Sequence, residues 1–253
     1  MSIKEINEIL SETVISDLPN KLREYQNDSR SGVVKLVEKY QKKILLYQKE
    51  IELWELKCEF DDMFSEEGIL VGIDEVGRGP LAGPVVAAAV ILPKNSDLIG
   101  LKDSKKLTEA KREELYQKIQ KQAISIGTGI VDAETIDQIN ILQATFMAMR
   151  QAINNLQGEF DKILVDGDKI IPEVNKKQEA IIGGDDKSAS IAAASVIAKV
   201  TRDRMMKAYS NTFSQYDWES NKGYGSKSHY EAIRKYGITP LHRKSFLKKE
   251  GIS

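Results

Sequence analysis

A single cysteine, Cys58, excludes an intramolecular disulfide and any zinc site built on cysteines. With only His229 and His242 present, a histidine-rich metal cage is excluded as well. No apolar run is long enough to cross a bilayer, and Met1-Ser2-Ile3-Lys4-Glu5 lacks the apolar core of a signal peptide, so a cytoplasmic protein with no membrane association is expected. A sizeable net charge is also missing. Lys and Arg number 37 against 38 Asp and Glu, which leaves −1 and no global basic field. A polyanionic partner would therefore have to be met by a local basic face. There is no internal repeat. At 253 residues, one large domain or one ordinary domain with an appendage is expected.

Residues 1–68 are rich in Lys, Glu, Gln and Leu and contain no strand-like run. Val33, Val34, Leu36, Val37, Tyr40, Ile44, Leu45, Tyr47, Ile51, Leu53 and Trp54 recur at roughly helical spacing. The segment reads as a helical accessory unit of two or three helices, with Asp61-Asp62 and Ser65-Glu66-Glu67-Gly68 marking its exit. From 69 to 253 the pattern is α/β. Short apolar strands are predicted at Ile69–Ile73, Val85–Leu92, Ser125–Val131, Lys162–Asp166 and Glu179–Ile182, the first two forming an antiparallel hairpin. A long amphipathic helix carries Ile136, Ile139, Leu142, Phe146, Met149, Ile153 and Leu156 on one stripe, and an alanine-rich helix lies between Ser190 and Tyr209. Its small side chains predict close packing against the sheet. The chain ends in mostly helical, polar sequence.

The chemistry concentrates where strands end. Asp74 and Glu75 stand at the end of the first apolar segment and run into Val76-Gly77-Arg78-Gly79-Pro80-Leu81-Ala82-Gly83-Pro84. Carboxylates beside so much apolar sequence are costly to desolvate without a cation. Glycines let a backbone approach a ligand, and an arginine between them suits a phosphate or sugar edge. Asp166 ends another strand in the same way, and two strand-end acids can meet over a sheet edge. Asp168 would face the same side as Asp166 if the strand continued through Gly167. Asp185 and Asp186 follow Gly183-Gly184 and precede the alanine-rich helix, where one acid would serve as an N-terminal cap. Asp74, Glu75, Asp166 and Asp185 make an oxygen-only donor set, which selects Mg²⁺ or Mn²⁺ over zinc. The tail from Lys222 carries Lys227, Arg234, Lys235, Arg243, Lys244, Lys248 and Lys249 against Glu231 and Glu250. That local excess of positive charge would help hold a duplex backbone.

The run Asp74–Pro84 resembles the signature of bacterial ribonuclease HII, and the resemblance extends from about Ile69 to Phe246. It includes Asp103-Ser104-Lys105-Lys106-Leu107, Val165-Asp166, Gly184-Asp185-x-Lys187-Ser188, Ile191-Ala192-Ala193-Ala194-Ser195, Ala198-Lys199-Val200-Thr201-Arg202-Asp203-Arg204, Asn221-Lys222-Gly223-Tyr224-Gly225 and Thr239-Pro240-Leu241-His242-Arg243. The resemblance implies a ribonuclease H-like fold with a mixed five-stranded sheet. It implies an endoribonuclease acting on RNA–DNA hybrids and on single ribonucleotides in duplex DNA, with Asp74, Glu75, Asp166 and Asp185 as catalytic ligands of two Mn²⁺ or Mg²⁺ ions. Gly77, Arg78 and Gly79 would recognise the ribose 2′-hydroxyl, and Tyr224 would pack on the following deoxyribose. Ser104, Lys105, Lys106, Lys187 and Ser188 are the candidate phosphate contacts. A monomer is expected, and the sequence names no protein partner.

Three other readings fit less well. A dinucleotide-binding fingerprint would need a glycine where Ala82 stands, and Asp74-Glu75 would repel a pyrophosphate. A binding protein without catalysis has no use for four acids facing an anionic backbone. The sister enzyme ribonuclease HIII usually has Thr at the position of Arg78, and its N-terminal domain contains strands.

Overall fold

Ser2 opens the first helix with a reciprocal cap: its hydroxyl accepts from Glu5 N at 3.2 Å while the Glu5 carboxylate accepts from Ser2 N at 2.6 Å. Helix α1 (Ile3–Glu12) presents Ile6 and Leu10 to α2 (Leu18–Arg23) and to the start of α3 (Ser31–Ser65), where Leu18, Leu22, Tyr25, Val33 and Tyr40 complete a small apolar core. By internal contacts the chain divides into two units, Met1–Leu56 and Lys57–Ser253. That division falls inside α3, ahead of the 68/69 step read from composition, because the last turns of α3 pack within the second unit. There Phe60 and Phe64 lie against Leu70, Leu164, Ile181 and Ile191. Asp61-Asp62 do not mark a helix exit, since α3 runs through them to Ser65. The computed structural model describes residues 1–65, 68–249 and 251, so Glu66, Glu67 and Glu250 lie outside the described residues.

In the second unit, β1 (Leu70–Val76) and β2 (Val85–Ile91) pair antiparallel, and β3 (Ser125–Val131) continues that pattern. On the other side β4 (Lys162–Asp166) and β5 (Lys177–Ile181) join in parallel. The result is a mixed five-stranded sheet in the order β3-β2-β1-β4-β5. Every residue of β2 is buried, as a central strand covered on both faces requires.

Helix α4 (Glu109–Gln122) was not evident in the sequence, because apart from its Thr108 cap it is polar and buries only Leu115 and Ile119. Helix α5 (Ala133–Asn154) covers one face, with Ile136, Phe146, Met149 and Ile153 packed on Val71, Ile73, Val85, Ala87 and Ala89. It is broken at Asn140, whose φ is 68° and whose Oδ1 accepts from Leu142 N and Gln143 N, so Asn140 caps the second half. A single turn, α6 (Gly184–Lys187), leads into α7 (Ala189–Thr212) on the opposite face. The alanines let α7 approach closely: a Cβ at Gly72 would stand 2.1 Å from the carbonyl carbon of Ser190. Helices α8 (Trp218–Asn221), α9 (Lys227–Tyr236) and α10 (Lys244–Lys249) follow, and Trp218, Tyr216, Ile233, Leu247 and Met206 form a second core beside the sheet. Among the described residues, no helix is long and apolar enough to cross a membrane.

Candidate functional site

Ile73 of β1 stands level with Val165 of β4, so the acids that follow them, Asp74 and Asp166, leave neighbouring parallel strands at the same height. Asp74 is buried; its Oδ1 accepts from Glu75 N at 2.6 Å, and Ser195 of α7 hydrogen-bonds its carboxylate. Gly167, at φ 110°, turns the chain after Asp166. Asp166 Oδ1 accepts from Gly184 N at 2.7 Å, which fastens the first residue of α6 to the end of β4 and sets Asp185 beside the strand ends. Neither Asp185 nor Asp186 caps α7, because Ser188 does so by accepting from Ile191 N.

These acids feel one another. Burial first, then the charges of Glu75 and Asp166, push Asp74 well above the usual carboxylate range. Burial also raises Glu75; Arg78 opposes it and Asp166 reinforces it. Asp185 is raised by burial, then by Asp166, Asp103 and Asp186. Asp166 is thus the common neighbour of the other three. Cationic relief is partial: Arg78 Nη1 stands 3.2 Å from Glu75 Oε1, and Lys105 acts favourably on both Glu75 and Asp185. A cavity of about 140 Å³ opens beside them, between Glu75, Arg78 and Asp166 and the α5 side chains Leu142, Phe146 and Met149. Asp168 also lines this cavity, but it is exposed and lies 3.6 Å from Lys169. Asp186 is paired with Lys106 at 2.6 Å.

The turn after Glu75 is held by two buried arginines. Arg243 donates to Gly77 O at 2.6 Å, Arg78 O at 2.9 Å and Gly83 O at 2.8 Å. Arg202 donates to Pro84 O at 2.9 Å, Ala82 O at 3.1 Å and Lys222 O at 2.9 Å. Burial and the neighbouring Arg202 bring the proton affinity of Arg243 down to about 9, so it remains charged at neutral pH. Gly77 has φ 90°, and a Cβ there would lie 2.3 Å from Arg202 Nε, so only glycine fits. Gly79 faces Tyr224, whose Cε1 lies 3.8 Å from where a Cβ would be. Tyr224 is in turn fixed through its own carbonyl, which accepts from His229 Nδ1 at 2.9 Å. His229 Nε2 then accepts from Trp218 Nε1 at 3.0 Å and lies 3.1 Å from His242 Nε2, while His242 Nδ1 accepts from Thr239 N at 2.9 Å and meets Thr239 Oγ1 at 3.0 Å. With Nδ1 donating and Nε2 accepting, His229 is satisfied as the neutral imidazole, and burial favours the neutral form of both rings.

The remaining candidates divide. Lys105, Lys106 and Lys187 are exposed, Lys106 being paired with Asp186 and Lys187 donating to Ile182 O at 2.8 Å. Ser104 and Ser188 do not offer their hydroxyls to an outside phosphate. Ser104 is buried against Ser195 Oγ at 3.0 Å, and Ser188 donates to Asp61 Oδ1 at 2.5 Å. Arg243 likewise leaves the basic tail, because it is fully buried under the Gly77–Pro84 turn. Sequence reasoning missed the bracing roles of Arg202 and Arg243 and the linkage from Trp218 through His229 and His242. Their charge is visible in the sequence, but their burial is not.

Residues 71–249 match the family described as Ribonuclease HII, and residues 2–65 match the Ribonuclease HII N-terminal domain. The chain belongs to the ribonuclease HII family. It is 48% identical to the Ribonuclease HII of Enterococcus faecalis over 97% of this chain and 96% of that protein. Identity to the Ribonuclease HII of Bacillus subtilis is also 48%, over 97% of this chain and 96% of the relative. Among solved structures, the ribonuclease H2 of Pyrococcus horikoshii superposes with a TM-score of 0.61 at 29% identity, covering 73% of this chain and 96% of that one. A ribonuclease HIII crystallised with Mn²⁺ shares the fold at 18% identity and a TM-score of 0.60, over 72% of this chain and 68% of the other. The sheet is therefore that of a ribonuclease H fold, and the chain is a ribonuclease, a hydrolase.

In a ribonuclease HII the donor chemistry of Asp74, Glu75, Asp166 and Asp185 fits a hard divalent cation. All donors are carboxylate oxygens, and burial together with the neighbouring acids disfavours their charge, which a bound cation would offset. Among the described residues, no three acidic, histidine or cysteine side chains are arranged so as to hold a metal ion.

Proposed function

We propose that the chain is a metal-dependent endoribonuclease that hydrolyses the RNA strand of RNA–DNA hybrids and incises 5′ to single ribonucleotides in duplex DNA, leaving 3′-hydroxyl and 5′-phosphate ends. The observation that carries this reading is the gathering of Asp74, Glu75 and Asp185 around Asp166, next to a Gly-Arg-Gly turn that faces Tyr224. Asp74, Glu75, Asp166 and Asp185 would hold two Mg²⁺ or Mn²⁺ ions, which when bound supply Lewis-acid stabilisation of the scissile phosphate and a nucleophile at neutral pH. The protein's own groups supply position. Arg243 and Arg202 turn the carbonyls of Gly77, Arg78, Ala82, Gly83 and Pro84 inward, which leaves the opposite side of the turn, with the Arg78 side chain exposed, for a ribose. A 2′-hydroxyl is the group that separates ribose from deoxyribose there. Tyr224, about half exposed above Gly79, offers an aromatic face to the next sugar. Lys105, Lys106 and Lys187 would contact phosphates, and exposed lysines on α9 and α10 would extend that contact along the duplex. The chain is read as a monomer that acts in the cytoplasm.

The test is a DNA duplex containing one ribonucleotide, incubated with the protein in Mg²⁺, in Mn²⁺ and in EDTA. A single nick 5′ to the ribonucleotide, abolished by EDTA, is expected. Cleavage confined to long RNA–DNA hybrids would move the reading to the sister enzyme, and no cleavage of either would defeat it.

A further inference from the structure

The last turns of α3 reach the segment that carries Asp185. Lys57 is 4% exposed, and its ammonium donates to the main-chain carbonyl of Asp185 at 2.7 Å. One turn further along the same helix face, Asp61 accepts from Ser188 Oγ at 2.5 Å through one oxygen and from Ser190 N at 2.8 Å through the other. Ser188 is also the cap of α7. Residues 185–190 are therefore gripped at both ends, by a cation at Asp185 and by an anion at the start of α7. Asp166 holds the same segment from the other side through Gly184 N. Lys57 bonds the carbonyl and not the carboxylate, so it fixes the backbone of Asp185 while its charge faces Asp185, Asp186 and Asp61. A buried ammonium placed on a neutral carbonyl is costly unless such acids surround it.

We propose that Lys57 is a positioning residue for the reaction, holding the Asp185 carboxylate in register with Asp166, and that Asp61 anchors the other end of the same clamp. This rests on the reading of Asp185 as a metal-binding acid. It predicts that Lys57→Met stays folded yet has a weaker Mn²⁺ affinity, measured by calorimetry on the substrate-free protein, by several-fold. Its kcat on the single-ribonucleotide duplex falls on the order of tenfold to a hundredfold. KM for that duplex stays within about twofold, since no substrate contact is lost. Lys57→Arg, which keeps the charge and a donor, recovers part of both losses. Asp61→Asn, which keeps the shape but spoils one of the two accepted bonds, moves both readouts the same way and serves where Lys57→Met fails to fold. Wild-type Mn²⁺ affinity and kcat in a folded variant, with only the melting temperature lowered, would reduce Lys57 to a structural residue and overturn the proposal. If the wild-type protein cuts neither duplex nor hybrid, the functional reading fails instead, and the Mn²⁺ titration still reports on Lys57 alone.

Discussion

Asp166 is the residue through which the candidate site communicates, because Asp74, Glu75 and Asp185 each register its charge. Asp166→Asn keeps the volume, and its Oδ1 can still accept from Gly184 N, so the fold is expected to survive. Activity on the single-ribonucleotide duplex should fall on the order of a hundredfold or more, as for other losses of charge at a preorganised centre. A fully active Asp166→Asn protein would sink the site assignment. Arg78 differs in kind. Its side chain is exposed and touches Glu75 only at 3.2 Å, so Arg78→Ala should leave Mn²⁺ binding near the wild-type level. The expected loss is selectivity: kcat/KM for a junction substrate relative to a long hybrid should drop on the order of tenfold. Equal loss on both substrates would show that Arg78 is only a general phosphate contact.

At the scale of elements, the break in α5 offers the sharpest test. Asn140 has φ 68° and its side chain caps the helix half that carries Phe146 and Met149 beside the acids. Asn140→Ala loses the cap and strains the backbone, and should cost about 2 kcal/mol in denaturant unfolding. Asn140→Gly relieves the strain and should cost well under about 1 kcal/mol. A smaller loss for the alanine variant would mean the break is not set by this residue. The break could not be read in the sequence, since the apolar stripe from Ile136 to Ile153 passes through it without a gap. Elsewhere legibility followed hydrophobic contrast. β3 and β4 sit where the sequence placed them, α7 extends only a few residues beyond its predicted span, and α5 starts ahead of Ile136 but stops at Asn154, short of Leu156, because each buries a run of apolar side chains. β1 extends to Val76, past its predicted end at Ile73, and so takes in both acids. α4 was missed because two buried residues in fourteen leave no stripe to see. Ser188 and Arg243 were misread outward because polarity in a sequence does not report what a side chain meets after folding.

For the molecule as a whole, the buried imidazoles set an acid limit. Burial, and then the neighbouring His229, lower His242 to about 4, and burial lowers His229 as well. In the unfolded chain these groups take up protons near their ordinary value of about 6.5, whereas the folded protein holds them neutral. The unfolded state therefore binds more protons between those limits, and stability must fall as pH falls. The His242 contribution is intact above about pH 6.5, is lost progressively down to about pH 4, and amounts to about 3 kcal/mol. Urea midpoints measured across that range should show the slope, and His242→Asn should flatten it. An unchanged slope in that variant would assign the acid limit to other groups.

The glycine-rich turn is not self-supporting. Its carbonyls are held by arginines that lie 118 to 166 positions further along the chain. A sequence segment so recognisable on its own is thus, physically, only half of a device whose other half is distributed through α7 and the residues before α10. Transplanted as a cassette onto another strand end, it would carry its glycines and its Asp-Glu pair but none of the inward pull that shapes them. The same dependence constrains divergence. Losing Arg202 or Arg243 would leave carbonyls of the turn without their donors, so a turn that reaches the surface only at Arg78 and Gly79 is tied to positions deep in the interior.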